Sequence, residues 1–247
     1  MKKRLRVEIE GRVQGVGFRP TVYRHARTCG VTGRVANSMQ GVTIEAEGAP
    51  EALERFLALL RTAPPAQARI AALRRFEIPP AGDTTFAIAA SVRAEGLSAQ
   101  MPPDLALCAA CRADILNPAD RRHGYAFTNC TNCGPRFTII AGLPYDRERT
   151  TMSGFAMCAR CQAEYADAAD RRFDAQPNAC PVCGPRLRLL DAGGNPLPGD
   201  PLTEAAARLR RGEILALKGL GGFHLACRAE EASIARLRAR KARPHKA

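Results

Sequence analysis

Eight of the ten cysteines stand in four C-x-x-C pairs: Cys108/Cys111, Cys130/Cys133, Cys158/Cys161 and Cys180/Cys183. A C-x-x-C turn offers two sulfurs from one tight loop, and two such loops complete the tetrahedral thiolate set that zinc prefers. A second stretch with chemistry in it is GRVQGVGFRP, residues 11–20. No Gly-Lys-Ser/Thr closes it, so it is not a Walker phosphate loop. Its glycines let the backbone N–H groups of Gln14, Gly15, Val16, Gly17 and Phe18 converge on an anion without Cβ obstruction. A helix starting there adds partial positive charge. Arg19, at the end of the loop, can fork two donors onto phosphate or carboxylate oxygens. A polar side chain is still needed to hold a water, and Asn37 falls at the end of the second strand, where this layout would place one.

The cysteine block is an internal repeat. Shifted by fifty residues, its first half overlays its second without a gap: ADRR at 119–122 meets ADRR at 169–172, and CTNCGPRF meets CPVCGPRL. The spacing is C-x2-C-x18-C-x2-C in each half, with 24 residues between the halves. Such a duplication in a polar, loop-rich segment predicts two structural zinc ions, eight thiolates and no open coordination position, with metal binding supplying the folding energy. Consecutive pairing and nested pairing (first pair with fourth, second with third) both use all eight sulfurs. A redox C-x-x-C or an iron–sulfur site is the rival, disfavoured by four pairs in register. Cys29 and Cys227 stand alone and read as buried apolar residues.

The elements that must position these groups follow from periodicity. Residues 3–13 alternate as a strand, and residues 19–29 place Val22, Ala26 and Cys29 on one helical face, with Gly30 as the stop. Residues 31–37 and 42–47 are strands joined by the turn NSMQG. APEALERFLALLR is an amphipathic helix, and residues 70–77 and 85–90 are closing strands. The order β-α-β-β-α-β predicts an α+β, ferredoxin-like domain over residues 1–90. Residues 91–107 read as a polar linker and 108–186 as the loop-rich cysteine region. Residues 187–247 read as a hairpin or linker, then helix, strand, glycine loop and helix. One strand and two helices cannot bury a core alone, so the chain is expected to be part of something longer.

Composition narrows the class. The N-terminal MKKRLRVEIEGRV has no apolar h-region, and no apolar run reaches membrane-spanning length, so a cytoplasmic protein is expected. The net charge of +13 raises nucleic acid as a partner. Its distribution argues otherwise. Residues 1–30 hold eight Lys/Arg and the last seventeen hold six, two separate clusters that suit phosphorylated small molecules. Aromatics are only 5% of the chain, too few for a stacking surface, so the cysteine block reads as a rigid connector.

GRVQGVGFR followed by GRVANSMQGVTIEAEG resembles the signature of the acylphosphatase family. That resemblance implies that the loop cradles the phosphate of an acyl phosphate, that Arg19 binds it and that Asn37 orients the attacking water. With two C-x2-C-x18-C-x2-C units behind it, and with TNCGPRFTII, PYDRERTTM and QPNACPVCGPRL, the chain resembles the HypF-type carbamoyltransferases of [NiFe]-hydrogenase maturation. GEILALKGLGGFHLACRA and KARP are similar to the start of that family's α/β YrdC-like nucleotide domain. The resemblance implies hydrolysis of carbamoyl phosphate at the first domain, then ATP- and Mg-dependent carbamoyl adenylation. Lys218, Lys241 and Arg243 would hold phosphates there. Transfer to the terminal cysteine of a HypE-type partner would follow. The family continues beyond Ala247, so the hydrolysis is the activity expected of this stretch. The alternatives are a zinc-binding scaffold and a module that docks protein or RNA.

Overall fold

The computed structural model describes residues 2–91, 100, 102–219 and 222–242, in two compact units, Met1–Pro185 and Arg186–Ala247. The first opens with β1 (Lys3–Arg12), whose Leu5, Val7 and Ile9 alternate inward. α1 (Phe18–Cys29) buries Phe18, Val22, Ala26 and Cys29, the face read from its spacing. β2 (Thr32–Ser38) and β3 (Gly41–Gly48) form a hairpin, α2 (Pro50–Thr62) packs Leu53, Phe56, Leu57 and Leu60, and β4 (Arg69–Ile78) and β5 (Phe86–Ile88) follow. The sheet runs β4-β1-β3-β2-β5, antiparallel throughout except for the β2–β5 pair. This is the expected ferredoxin-like arrangement, with β5 extending it beyond β2. One apolar core lies between the sheet and the two helices. Each fully buried large side chain there contributes about 1.5–3 kcal/mol.

The hairpin register is pinned by Gly41, where φ is 152° and a Cβ would stand 2.1 Å from the Ile9 carbonyl oxygen. Arg4, itself buried, crosses the sheet to Glu45 at 2.6 Å and Asp83 at 3.0 Å. Glu47 accepts from the N–H groups of Ala81 and Gly82. Those contacts tie down the chain that leads into β5.

The cysteine region is more helical than its composition suggests. α3 (Ala109–Leu116) and α4 (Ala159–Ala166) each begin one residue after the first cysteine of their repeat, fifty positions apart. Each is eight residues long and lacks a continuous apolar stripe, so periodicity alone gives no signal for it. In each helix only the second cysteine of the pair, Cys111 or Cys161, is buried.

The second unit contains a turn at 191–195 closed by the Leu190–Pro196 bridge, then α5 (Pro201–Arg210), β6 (Leu215–Lys218), β7 (Phe223–Ala226) and α6 (Glu231–Arg240). β7 corrects the sequence reading, which ran from the glycine loop straight into a helix. FHLA is too short to alternate visibly, and it is a strand because it pairs with β6. Among the described residues of this unit only Ser233 is buried, while Leu217, Phe223 and Leu225 are exposed. Ile214 and Leu215 are half-buried, as is Cys227.

Candidate functional site

The glycine loop leaves β1 and enters α1 as the pattern requires. Gly15 and Gly17 hold positive φ angles of 64° and 77°, which favour glycine. Among the described residues, the backbone N–H groups of Gly15 to Phe18 have no acceptor. Gln14, buried, does not turn its side chain into the loop. Its Nε2 donates to the Ser38 and Gly41 carbonyls at 2.7 and 2.8 Å, bracing the loop against the β2–β3 hairpin. The side chains of Val16 and Phe18 point into the core, so only their backbone is offered.

Arg19, on α1, and Asn37, near the end of β2, line one small cavity with Gly15 and Gly17. Both are buried. Both polar ends meet residues from the cysteine region. Arg19 Nη1 donates to Asp146 at 2.7 Å, and its Nε pairs with Asp174 at 3.0 Å. Asn37 Nδ2 donates to the Tyr145 carbonyl at 2.9 Å, and the Tyr145 N–H donates to Gln14 Oε1 at 2.8 Å. Asn37 Oδ1 is buried without a hydrogen-bond partner among the described residues. Burial works against the charge of Arg19, but Asp174 and Asp146 outweigh it and hold the guanidinium charged. For Asp174 burial dominates and pushes the carboxyl up, despite Arg19 beside it and the hydroxyl of Tyr165 at 3.0 Å. The cavity is only about 20 Å³, enough for a water. It adjoins a space of about 780 Å³ that shares Arg19, Asp174 and Gln176 and is also lined by Arg147 and Arg149.

The cysteines gather consecutively, Cys108, Cys111, Cys130 and Cys133 in one cluster and Cys158, Cys161, Cys180 and Cys183 in the other. Bonds of about 2.3 Å to a tetrahedrally held ion place sulfurs about 3.8 Å apart. The Sγ separations are 3.8 Å for Cys108–Cys130 and Cys158–Cys180, 3.7 Å for Cys130–Cys133 and Cys180–Cys183, and 3.6 Å for Cys161–Cys183. The donor sets therefore fit a four-coordinate metal ion, and none of these cysteines is in a disulfide.

Each cluster is flanked by arginines of the other repeat. Arg171 Nη1 donates to Cys111 Sγ at 2.9 Å, and Arg121 Nη2 donates to Cys161 Sγ at 3.2 Å. Arg172 pairs with Asp114 and gives its Nε–H to the Asn129 carbonyl at 3.1 Å. Arg122 pairs with Glu164 at 2.6 Å and gives its Nε–H to the Ala179 carbonyl at 2.9 Å. Burial pushes the Glu164 carboxyl up, but Arg122 and Arg121 hold it down at about 2. Four thiolates on a divalent ion carry excess negative charge, which these guanidiniums offset. The ADRR repeat marked the duplication in the sequence without revealing this exchange.

The nucleotide candidates lie in the second unit. Lys218 ends β6 with its Nζ 5.3 Å from the centre of the Phe223 ring. Lys241 is the exposed C-cap of α6, and Arg243 lies outside the described residues. The residues that sequence reasoning missed are Tyr145, Asp146 and Asp174, together with Arg136, whose Nε donates to the Gly15 carbonyl at 2.5 Å. Only the repeated CGPR motif hinted at the last.

Residues 5–88 match the family profile described as Acylphosphatase, residues 107–140 and 157–190 match the HypF finger, and residues 207–247 match the Telomere recombination profile. Over 246 residues the chain is 54% identical to a carbamoyltransferase HypF of Rhodobacter capsulatus, an alignment covering 98% of this chain and 32% of that protein. An acylphosphatase of Yersinia pseudotuberculosis is 41% identical over 81 residues, 32% of this chain and 88% of that protein. The crystal structure of a full-length HypF in its phosphate- and nucleotide-bound form superposes with a TM-score of 0.93 at 40% identity, over 100% of this chain and 32% of that one. The chain thus spans about a third of the length of the carbamoyltransferases it matches.

Proposed function

Because the chain belongs to the HypF carbamoyltransferase family, of which it carries the acylphosphatase domain, the finger pair and the start of the YrdC-like domain, we propose that its glycine loop hydrolyses carbamoyl phosphate. The observation that carries this reading is the convergence, around one buried cavity, of Gly15, Gly17 and Phe18, whose backbone N–H groups have no acceptor among the described residues, with Arg19 and the unpartnered Oδ1 of Asn37. The N–H groups and Arg19 take the phosphoryl oxygens. Asn37 Oδ1 accepts a hydrogen bond from the attacking water and aligns it. The water oxygen bonds to phosphorus, the bond from phosphorus to the acyl oxygen breaks, and carbamate leaves. Inorganic phosphate and a proton complete the balance. No side-chain nucleophile is needed.

The 20 Å³ cavity is too small for the substrate with Tyr145 in place. Phosphate binding therefore exchanges a phosphoryl oxygen for the Tyr145 carbonyl on Asn37 and for Asp146 on Arg19. Asp174, held by Tyr165 and by Gln176 Nε2 at 2.9 Å, keeps the guanidinium aligned during the exchange. The finger ions are zinc in this reading, structural and closed, with all four positions of each taken by cysteine. Lys218, Lys241 and Arg243 belong to the ATP site of the whole protein, which adenylates carbamate in the cytoplasm and passes it to a HypE-type partner.

The test is phosphate release from carbamoyl phosphate, above its spontaneous decay, by this chain beside its Arg19→Ala and Asn37→Ala forms. Losses of about 100-fold or more are expected for each. Release that is unchanged in both variants would refute the assignment.

A further inference from the structure

The duplicated region is symmetric in its cysteine clusters but not in what they touch. The Cys130–Cys133 knuckle lies directly on the glycine loop. A Cβ built on Gly17 would come within 2.9 Å of Thr131 Cγ2 and 3.5 Å of Asn132 Oδ1. Arg136 follows this knuckle and is 2% exposed. Its Nε–H goes to the Gly15 carbonyl at 2.5 Å. Its Nη2 donates to the carbonyls of Cys130 and Thr131 at 3.1 and 2.9 Å, and its Nη1 to those of Cys133 and Pro135 at 3.1 and 2.8 Å. Among the described residues it forms no ion pair with a carboxylate. Fifty residues on, the counterparts of Asn132 and Arg136 are Val182, 75% exposed, and Arg186, also exposed. One knuckle of the two is built onto the phosphate loop.

We propose that Arg136 is a positioning residue that couples metal occupancy of the first cysteine cluster to the phosphate affinity of the glycine loop. The guanidinium is a rigid planar fork. Here it spans the carbonyls of two cluster cysteines and that of Gly15. Metal fixes the backbone at 130–133, and Arg136 transmits that fixed frame to the loop. Holding the Gly15 carbonyl away from the cavity leaves the following N–H groups facing it. Its positive charge, which also faces Asp104, favours an anion at the same place. Coupling of this kind is reciprocal, so phosphate on the loop must also be felt at the first cluster. The inference rests on the reading of the loop as a phosphate site.

The experiment uses the whole chain with cadmium at both clusters, and inorganic phosphate as the probe. The two cadmium resonances are assigned by Cys180→Ser, which removes a ligand of the second cluster. As phosphate is titrated, the first-cluster resonance is expected to move with saturation while the second stays fixed. Arg136→Lys, with both metals still bound, is expected to weaken phosphate at least about tenfold, and Arg186→Lys to leave it unchanged. Phosphate binding that shifts neither resonance overturns the proposal, and so does wild-type affinity in Arg136→Lys. The wild-type titration needs no variant to fold. Binding lost in Arg19→Ala but kept in Arg136→Lys sinks this inference alone. A wild-type chain that binds no phosphate sinks the loop reading and this inference with it.

Discussion

At the scale of single residues, the chemistry depends on charges buried where each meets a counter-charge or an open donor. Arg19 was visible in the sequence because it ends a glycine-rich loop at a helix start, and Asn37 because a strand end is where the layout needs an amide. Their carboxylate and carbonyl partners were not visible. Asp146 lies 127 residues from Arg19, and Tyr145 lies 108 from Asn37, so no local spacing links them. Glu45 offers a clean pH test on the same domain. Burial alone would raise its carboxyl, but hydrogen bonds from Arg34 and Arg4 hold it below its ordinary value. A depressed carboxylate contributes its stability above the unfolded value of about 4.3, and that contribution is lost as pH falls below it. The gap in urea midpoint between wild type and Glu45→Gln should therefore be full at neutral pH and close on acidification. A gap that stays constant would mean that the ion pairs contribute nothing.

At the scale of elements, the first ninety residues were legible because each carries a period: alternation in β1, a 3.6-residue face in α1 and α2, and a turn between β2 and β3. α3 and α4 were not, because eight residues without a continuous apolar stripe give no helical period to read. β7 was missed because a four-residue strand exists by virtue of its partner. The hairpin supplies a backbone test. Gly41→Ala would push a Cβ into the Ile9 carbonyl in a conformation that L residues avoid. A loss of roughly 2 kcal/mol or more in unfolding free energy is expected. Because Gln14 also braces on the Gly41 carbonyl, phosphate affinity should fall with it. Wild-type stability in that variant would show that the register is not fixed there.

At the scale of the whole unit Met1–Pro185, the cysteine region is more than the connector that composition suggested. It supplies Tyr145 and Asp174 to the cavity of the first domain, Asp146 to Arg19 and Arg136 to the loop. The crossed arginines make a prediction that neither repeat alone would. Arg171→Ala should weaken metal at Cys108, Cys111, Cys130 and Cys133, the cluster of the other repeat, by about 10–100-fold in a chelator competition, and spare the cluster of its own. Weakening of its own cluster instead would refute the exchange. The exchange has a wider consequence. Residue i of the first half meets residue j of the second, and j − 50 meets i + 50, which is the contact rule of a two-fold homodimer. A solitary ancestor of this repeat would have lacked the cations that its own sulfurs require. A second copy would supply them, so the two halves of this chain stand to each other as the subunits of such a dimer would. The half that lies against the glycine loop differs from its twin there, with Asn132 where the other has Val182.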